Sequence, residues 1–322
     1  MAGIVISCIV RSRNELFMKG RMTMILVWGL MIVLAIVIIY LIIPGGPAWK
    51  KYLADIASSF QQENDISLQP SVITEEAIAE LPQLLRKYLK KNGYINQPMM
   101  RNMYIQFENT KFRMEAGKKT IPIDFCQVNF VDRPDRYAFL TARMFGLPVH
   151  VRDSVQDGKG SMIGVLAKHF QLFHSTGPEM DQSQLITALA DAVFMPSLFF
   201  QEYISWRTID YQTVEGTISW NGVSAKGRFT FDDSGDIVRF DTDERYMDEN
   251  GKGTSLVPWF VLYENYQSDE KYRRPGCVSV NWQLSQGIDN YFVSDRIKVQ
   301  YSIEASEIYK ERASKVLPSR IS

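Results

Sequence analysis

Hydrophobic and polar positions give this chain three successive rhythms. Met24 to Ile43 (MILVWGLMIVLAIVIIYLII) is an unbroken apolar run. At about 1.5 Å per residue, these roughly 20 residues cross the ~30 Å hydrocarbon layer of a bilayer as one helix. Pro44-Gly45-Gly46-Pro47 ends the run sharply. A cleaved signal peptide has a shorter apolar core, about 7 to 15 residues, and a small-residue cleavage site after it. No such site follows here, so the run reads as an uncleaved anchor. From Trp49 to about Ser71 polar and apolar residues mix without a sustained period, which predicts an amphipathic stalk at the membrane face and then a linker.

Beyond Thr74 the pattern is that of a folded domain. TEEAIAELPQLLRKYLKKNG predicts a helix, with Glu75, Glu76 and Glu80 early, Arg86, Lys87, Lys90 and Lys91 late, and Gly93 as its stop. Leu81, Leu84, Leu85, Tyr88 and Leu89 form its apolar face. A second helix is predicted from Asp181 to about Met195, with Asp181 and Gln184 as a capping box, Asp191 as its internal acid, and Pro196 as its end. The remaining segments alternate with period two. Val214, Gly216, Ile218 and Trp220 share one face, Asn221-Gly222 is a type I′ hairpin signal, and Val223, Ala225, Gly227, Phe229 and Phe231 continue the apolar face. A turn at Asp232 to Gly235 leads into Ile237 to Tyr246. Shorter runs at 103–108, 112–115, 125–131, 136–144, 148–155, 161–173, 204–209, 256–263 and 297–303 bring the expectation to about ten strands.

Strands joined by short connections, with no helix between successive strands, exclude a doubly wound parallel sheet. The fold class expected is α+β: one N-terminal transmembrane helix, then a large, curved, mostly antiparallel sheet with a few covering helices. The expected divisions are a cytoplasmic tail (1–23), the transmembrane helix (24–43), a stalk and linker (44–73), a β-rich extracytoplasmic domain (74–304) and a C-terminal tail (305–322). Orientation follows from basic residues. Arg11, Arg13, Lys19 and Arg21 precede the span against Glu15, whereas Lys50 and Lys51 follow it and are offset by Asp55. This places the N-terminus in the cytoplasm of a single-pass inner-membrane protein. If Met18 is the true start, only Lys19 and Arg21 remain and the bias vanishes.

Charge narrows the partners. Lysine plus arginine equals aspartate plus glutamate, 36 against 36, so no global attraction to nucleic acid is present. Cys8, Cys126 and Cys277 are too few for a disulfide framework or a thiolate metal site; one bridge, Cys126 to Cys277, or two free thiols both fit. Ile6-Ser7-Cys8 lacks the preceding apolar run of a lipoprotein signal. His150, His169 and His174 show no metal-binding spacing, and the acidic loops FDDSGD and MDENGKG fail the calcium-loop pattern at its first and last ligands. No nucleophile elbow, phosphate-binding loop or dinucleotide fingerprint occurs. No catalytic residue, metal site or cofactor is expected, and Asp241, Asp243, Glu244 and Arg245 read first as a solvated strand face.

Several segments together do match a known pattern. Leu81 to Leu89 (LPxxxxKYL), Phe194-x-Pro196, Trp206-x-x-Ile209-Asp210, Phe229-Thr230-Phe231-Asp232 with Gly235, and Asp243-Glu244-Arg245-Tyr246 resemble an uncharacterised bacterial family of membrane-anchored proteins, known only as a domain of unknown function. The resemblance spans about Leu81 to Tyr301, with Lys87 where many relatives carry Arg. It supports the domain boundaries and implies no mechanism.

The function expected first is a membrane-anchored envelope protein whose sheet encloses an apolar ligand such as a lipid, by fold-level analogy with bacterial lipoprotein carriers. Trp206, Trp220, Phe229, Phe231, Trp259 and Trp282 are aromatics able to line such a cavity or simply to pack a core. Trp206, Asp210, Arg245 and Tyr246 are the candidate ligand-binding set, with Asp210 and Arg245 expected as a buried pair. Alternatives are a scaffold that binds other proteins, marked by an exposed apolar patch, and a hydrolase using Asp210 or Asp243 with Arg245. Protein partners are not indicated by the sequence.

Overall fold

A computed structural model describes residues 2–43, 45–63, 71–114, 117–248, 253–269 and 271–316. It comprises two units, Met1–Pro44 and Gly45–Ser322. The first is one helix, α1 (Ala2–Ile42), whose described apolar side chains from Met24 onward are almost all exposed. Among the described residues it supplies the one stretch long and apolar enough to cross a membrane, a property shared by anchors and signal sequences.

The second unit begins with α2 (Pro47–Glu63) and α3 (Gln83–Lys91). Six strands follow as a meander: β1 (Asn102–Phe112), β2 (Ile121–Phe130), β3 (Arg136–Met144), β4 (Leu147–Gln156), β5 (Lys159–Leu166) and β6 (Phe170–Thr176). Helix α4 (Pro178–Ala190) leads to β7 (Ile204–Thr208), β8 (Thr213–Trp220), β9 (Val223–Phe231) and β10 (Ile237–Thr242). Two small hairpins, β11 (Tyr246–Asp248) with β12 (Thr254–Leu256) and β14 (Gln267–Ser268) with β15 (Arg273–Arg274), flank β13 (Trp259–Glu264). The chain closes with β16 (Cys277–Leu284), β17 (Gly287–Ser294), β18 (Ile297–Tyr301) and α5 (Ala305–Val316).

Fourteen strands form one sheet in the order β6-β5-β4-β3-β2-β1-β17-β16-β13-β10-β9-β8-β7, with β18 paired to β1 beyond the end of β17. Every pairing is antiparallel. The sheet must curl. Helix α4 touches β5 and β9, nine steps apart in strand order. At about 4.8 Å per step a flat sheet would separate them by about 43 Å, whereas a helix is only about 10–12 Å across. The hairpin turns of the two wings also meet, where the Asn221 side-chain amide donates to the Asp157 carbonyl at 3.1 Å.

The inner face carries α3 and α4 over a core that includes Leu85, Tyr88, Leu185, Leu189, Phe199, Phe229 and Phe240. The outer face carries α2 and α5 over Tyr104, Val128, Phe130, Tyr137 and Phe139. Residues 44–73, expected as a stalk and linker, therefore contain a packed helix. Trp49, Tyr52, Ile56 and Phe60 recur at intervals of three and four, and all are buried against the sheet. The expected tail, 305–322, likewise contains α5, whose Ile308 joins that outer core.

Four local expectations change. The helix predicted over 74–93 divides into a 3₁₀ turn, Ala77–Glu80, and α3, because Pro82 forces Leu81 into an extended conformation. Gly93, at φ +81°, ends α3 as predicted. Helix α4 starts a turn early, at Pro178 after Gly177, and yields to 3₁₀ turns at Asp191. Asp181 and Gln184 therefore do not cap it; Asp181 instead accepts from the Gly160 amide at 2.7 Å. The run 161–173 divides into β5 and β6 at Ala167 and Lys168, both at positive φ, and 112–115 merely ends β1. Strands β16 and β17 lie outside the predicted runs. Cys126 and Cys277 are not bridged, and the Cys126 thiol donates to the Tyr52 hydroxyl at 3.9 Å.

Candidate functional site

Register alone defines which residues share the inner face. Phe112 opposes Ile121, Phe125 opposes Leu140, Leu140 opposes Val151, and Val151 opposes Gly164, on which the Phe173 ring lies. On the other side Phe112 opposes Phe292, Phe292 opposes Val280, and Trp282 opposes Trp259. Nearest α4 this face is fully buried. Toward the β1–β2, β3–β4, β5–β6 and β16–β17 turns it is not: Phe112, Ile121, Phe125, Ala142, Val151 and Trp282 are half-buried. An apolar trough thus lies open along one end of the rolled sheet.

The floor of the trough is polar, and the sequence puts it there through inward-facing positions of β2, β3 and β4. Arg136, buried, donates to Asp153 Oδ2 at 2.9 Å and to Gln184 Oε1 at 3.0 Å, and its Nε lies 3.3 Å from Asp191 Oδ2. Gln127 and Asn129 donate to the same Asp191 oxygen at 2.7 and 3.0 Å. Burial pushes the Asp191 carboxyl up from its ordinary range, and Arg136, Asn129 and Gln127 oppose that rise. Three side-chain partners on one carboxylate fix the end of α4 against β2 and β3.

Arg245 sits beside this network without joining it. Its guanidinium lies 4.5 Å from the Trp259 ring centre and 5.8 Å from that of Trp282. One terminal nitrogen donates to the Ser183 carbonyl at 2.5 Å and to Thr187 Oγ1. Its Nε is buried without a hydrogen-bond partner, and among the described residues no carboxylate lies within ion-pair distance. Burial lowers its pKa from the usual arginine value. Trp282 stacks on Tyr291 at 6.1 Å and Tyr291 meets Phe112 edge-on at 6.2 Å, so an aromatic path runs from Arg245 to the open trough.

A family model described as "Family of unknown function (DUF6544)" matches residues 71–294. The chain belongs to DUF6544. The match begins after α2 and ends with β17, so the trough lies within the DUF6544 region, while α1, α2, β18 and α5 lie outside it. No curated protein matches the chain. Among solved structures it is similar to a domain described as an outer membrane lipoprotein-sorting protein from Vibrio parahaemolyticus, at 10% identity and TM-score 0.35, covering 66% of this chain and 89% of that one. It is also similar to a LolA superfamily protein from Nitrosomonas europaea, at 11% identity and TM-score 0.34, covering 65% and 87%.

The four residues singled out in the sequence do not assemble into one site in this DUF6544 chain. Trp206 packs edge-on to Phe199 at 5.3 Å and donates its indole N–H to the Phe199 carbonyl, a core role. Asp210 is exposed and accepts the Gln212 amide at 2.8 Å, so the Asp210–Arg245 pair does not form. Asp243 pairs with Arg228, Asp241 with Arg239 and Glu244 with Lys226, so the acidic segment forms ion-paired strand positions and gives the hydrolase reading no converging carboxylates. Arg245 and Tyr246 do lie at α4, the Tyr246 amide donating to Ser183 Oγ at 3.0 Å. Of the candidate aromatics, Phe229, Phe231 and Trp259 are buried, while Trp282 reaches the trough. Sequence reasoning missed Arg136, Asp153 and Asp191 as a unit, since nothing local marks a network drawn from β3, β4 and the end of α4.

A second concavity, about 620 Å³, lies beside β18 and is lined by Met99, Met100, Tyr272, Arg274, Val299 and Tyr301 among others. Its Arg274 already pairs with Asp269 and lies over the Tyr272 and Tyr301 rings.

Proposed function

We propose that this chain is a membrane-anchored module that binds an amphiphile in the inner trough, with the apolar body along β1–β6 and an anionic group toward Arg245. The observation that carries this reading is the half-exposed apolar inner face beyond the reach of α4, ending at a cation that lacks an ion pair. Burying apolar ligand surface there removes about 25 cal/mol per Å² from water. A cation clamped between two indoles gains strongly from an anion, because few competing waters reach it. In this reading residues 24–43 serve as an uncleaved single-pass anchor, and the basic residues before the span support an orientation with the unit 45–322 outside the cytoplasm.

The test is native mass spectrometry of residues 45–322 with solvent extraction and lipid analysis of what co-purifies. A stoichiometric acyl-chain amphiphile supports the reading, and Val151→Asp should abolish its retention while leaving circular dichroism unchanged. A folded but empty unit that also fails to take up added phosphatidylglycerol overturns it.

A further inference from the structure

Three two-residue turns with both residues at positive φ join strands of the sheet. Asp157-Gly158 and Asn221-Gly222 use the residues that tolerate this conformation. The third is Phe145-Gly146, between β3 and β4, with φ of 52° and 79°. A left-handed phenylalanine is unfavourable by about 1 kcal/mol. It makes no compensating core contact, since Phe145 is 96% exposed.

Phe145 has apolar company. The register places the β1–β2, β3–β4, β5–β6 and β16–β17 connections at the same end of the sheet, the end where the trough opens. Each connection has an exposed apolar side chain in it or at the strand end beside it: Met114, Phe145, Phe170 and Ile288. Exposed Lys111, Lys118, Lys119 and Arg143 surround them. Glu115 is the one acid in the β1–β2 connection by sequence, and Asp289 is neutralised by Arg113 at 2.5 Å.

Chain connectivity says what this rim faces. Gly46 lies against the β5–β6 turn, so closely that a Cβ there would stand 3.1 Å from Lys168 Cδ. Ile43 ends the apolar run three residues earlier, and three extended residues reach at most about 11 Å. Given the anchor reading above, on which this inference rests, chain connectivity keeps Gly46 within that reach of the point where the chain leaves the bilayer, and the β5–β6 turn packs against Gly46.

We propose that the four turns dock into the surface of the bilayer that holds the anchor, the apolar tips entering the headgroup layer and the lysines meeting anionic lipid. The mouth of the trough then opens directly onto lipid, and a ligand passes between bilayer and protein without crossing bulk water.

The experiment uses the full chain carrying Cys8→Ser, Cys126→Ser and Cys277→Ser, with an environment-sensitive fluorophore on Phe145→Cys. The protein is reconstituted in vesicles of phosphatidylethanolamine and phosphatidylglycerol containing chain-spin-labelled lipid. Carbonate extraction first tests the anchor: a chain released from the vesicles overturns both readings. In retained protein, docking predicts quenching at position 145 several-fold above that of a label on Ser224→Cys, which is exposed at the start of β9 beside the turn that meets the β4–β5 connection, at the opposite end of β4 from Phe145. A label on Ile288→Cys should be quenched likewise, and adding Phe145→Asn should reduce that quenching while raising thermal stability. Equal quenching at 145, 288 and 224 in retained protein overturns the docking and leaves the anchor standing.

Discussion

Single residues decide more of this fold through absent side chains than through charges. Gly216 lies under the Trp206 ring and Gly227 under the Phe240 ring; a Cβ would fall 2.7 and 2.1 Å from those rings. Alternation showed the two glycines on the apolar face but not the aromatic that covers each, since cross-strand partners are set by register. Gly216→Ala should destabilise by about 1–3 kcal/mol through overpacking, read as a lowered midpoint in urea. Asp210→Ala, by contrast, removes only a turn hydrogen bond at an exposed site and should change stability by less than about 1 kcal/mol. Glu63 supplies a pH signature. Burial raises its carboxyl to about 6, with the Asn102 amide opposing. Because the folded value lies above the unfolded one, its contribution is fully present below about pH 4.5 and is lost as pH rises through 6. Glu63→Gln should therefore stabilise the fold at pH 7 by about 1 kcal/mol after allowance for solvent screening, read as a higher melting temperature, and have no such effect at pH 4.

At the scale of elements, legibility followed periodicity and length. The β8–β9 hairpin was readable because two long alternating runs flank Asn-Gly, and the structure pairs Trp220 with Val223 around it. Helix α2 was not, because Ser58, Ser59, Gln61 and Gln62 dilute the apolar stripe of Trp49, Tyr52, Ile56 and Phe60. Strands β16 and β17 were obscured by Asn281, Asp289 and Asn290, whose inward or paired positions become apparent only from their partners; the Asn290 amide donates to Asn281 at 2.8 Å. The packing of α2 is testable. Ile56→Ala should destabilise by about 2–4 kcal/mol by leaving a cavity under the helix, whereas the same change in a solvated stalk would be within about 0.5.

For the whole molecule, class and antiparallel character were legible, but the floor of the trough was not. Arg136 comes from β3, Asp153 from β4 and Asp191 from the end of α4, and only the rolled sheet assembles them. The two arginines of this region should therefore respond differently. Arg136→Leu strands two carboxylates without their cation and should cost about 3–5 kcal/mol, measured by chemical unfolding. Arg245→Met keeps the packing between Trp259 and Trp282, and should leave unfolding nearly unchanged while weakening capture of an anionic amphiphile measured by lipid extraction.

The strand order ends at β6 on one wing and β7 on the other, and these two strands do not pair. What joins the wings is α4, together with single contacts such as Asn221 to Asp157. The roll consequently has a lengthwise seam. Along it the wings can part without breaking one ladder hydrogen bond, so the barrel yields first at this line when a bulky guest strains it, and the stiffness of the seam sets the girth of what fits inside.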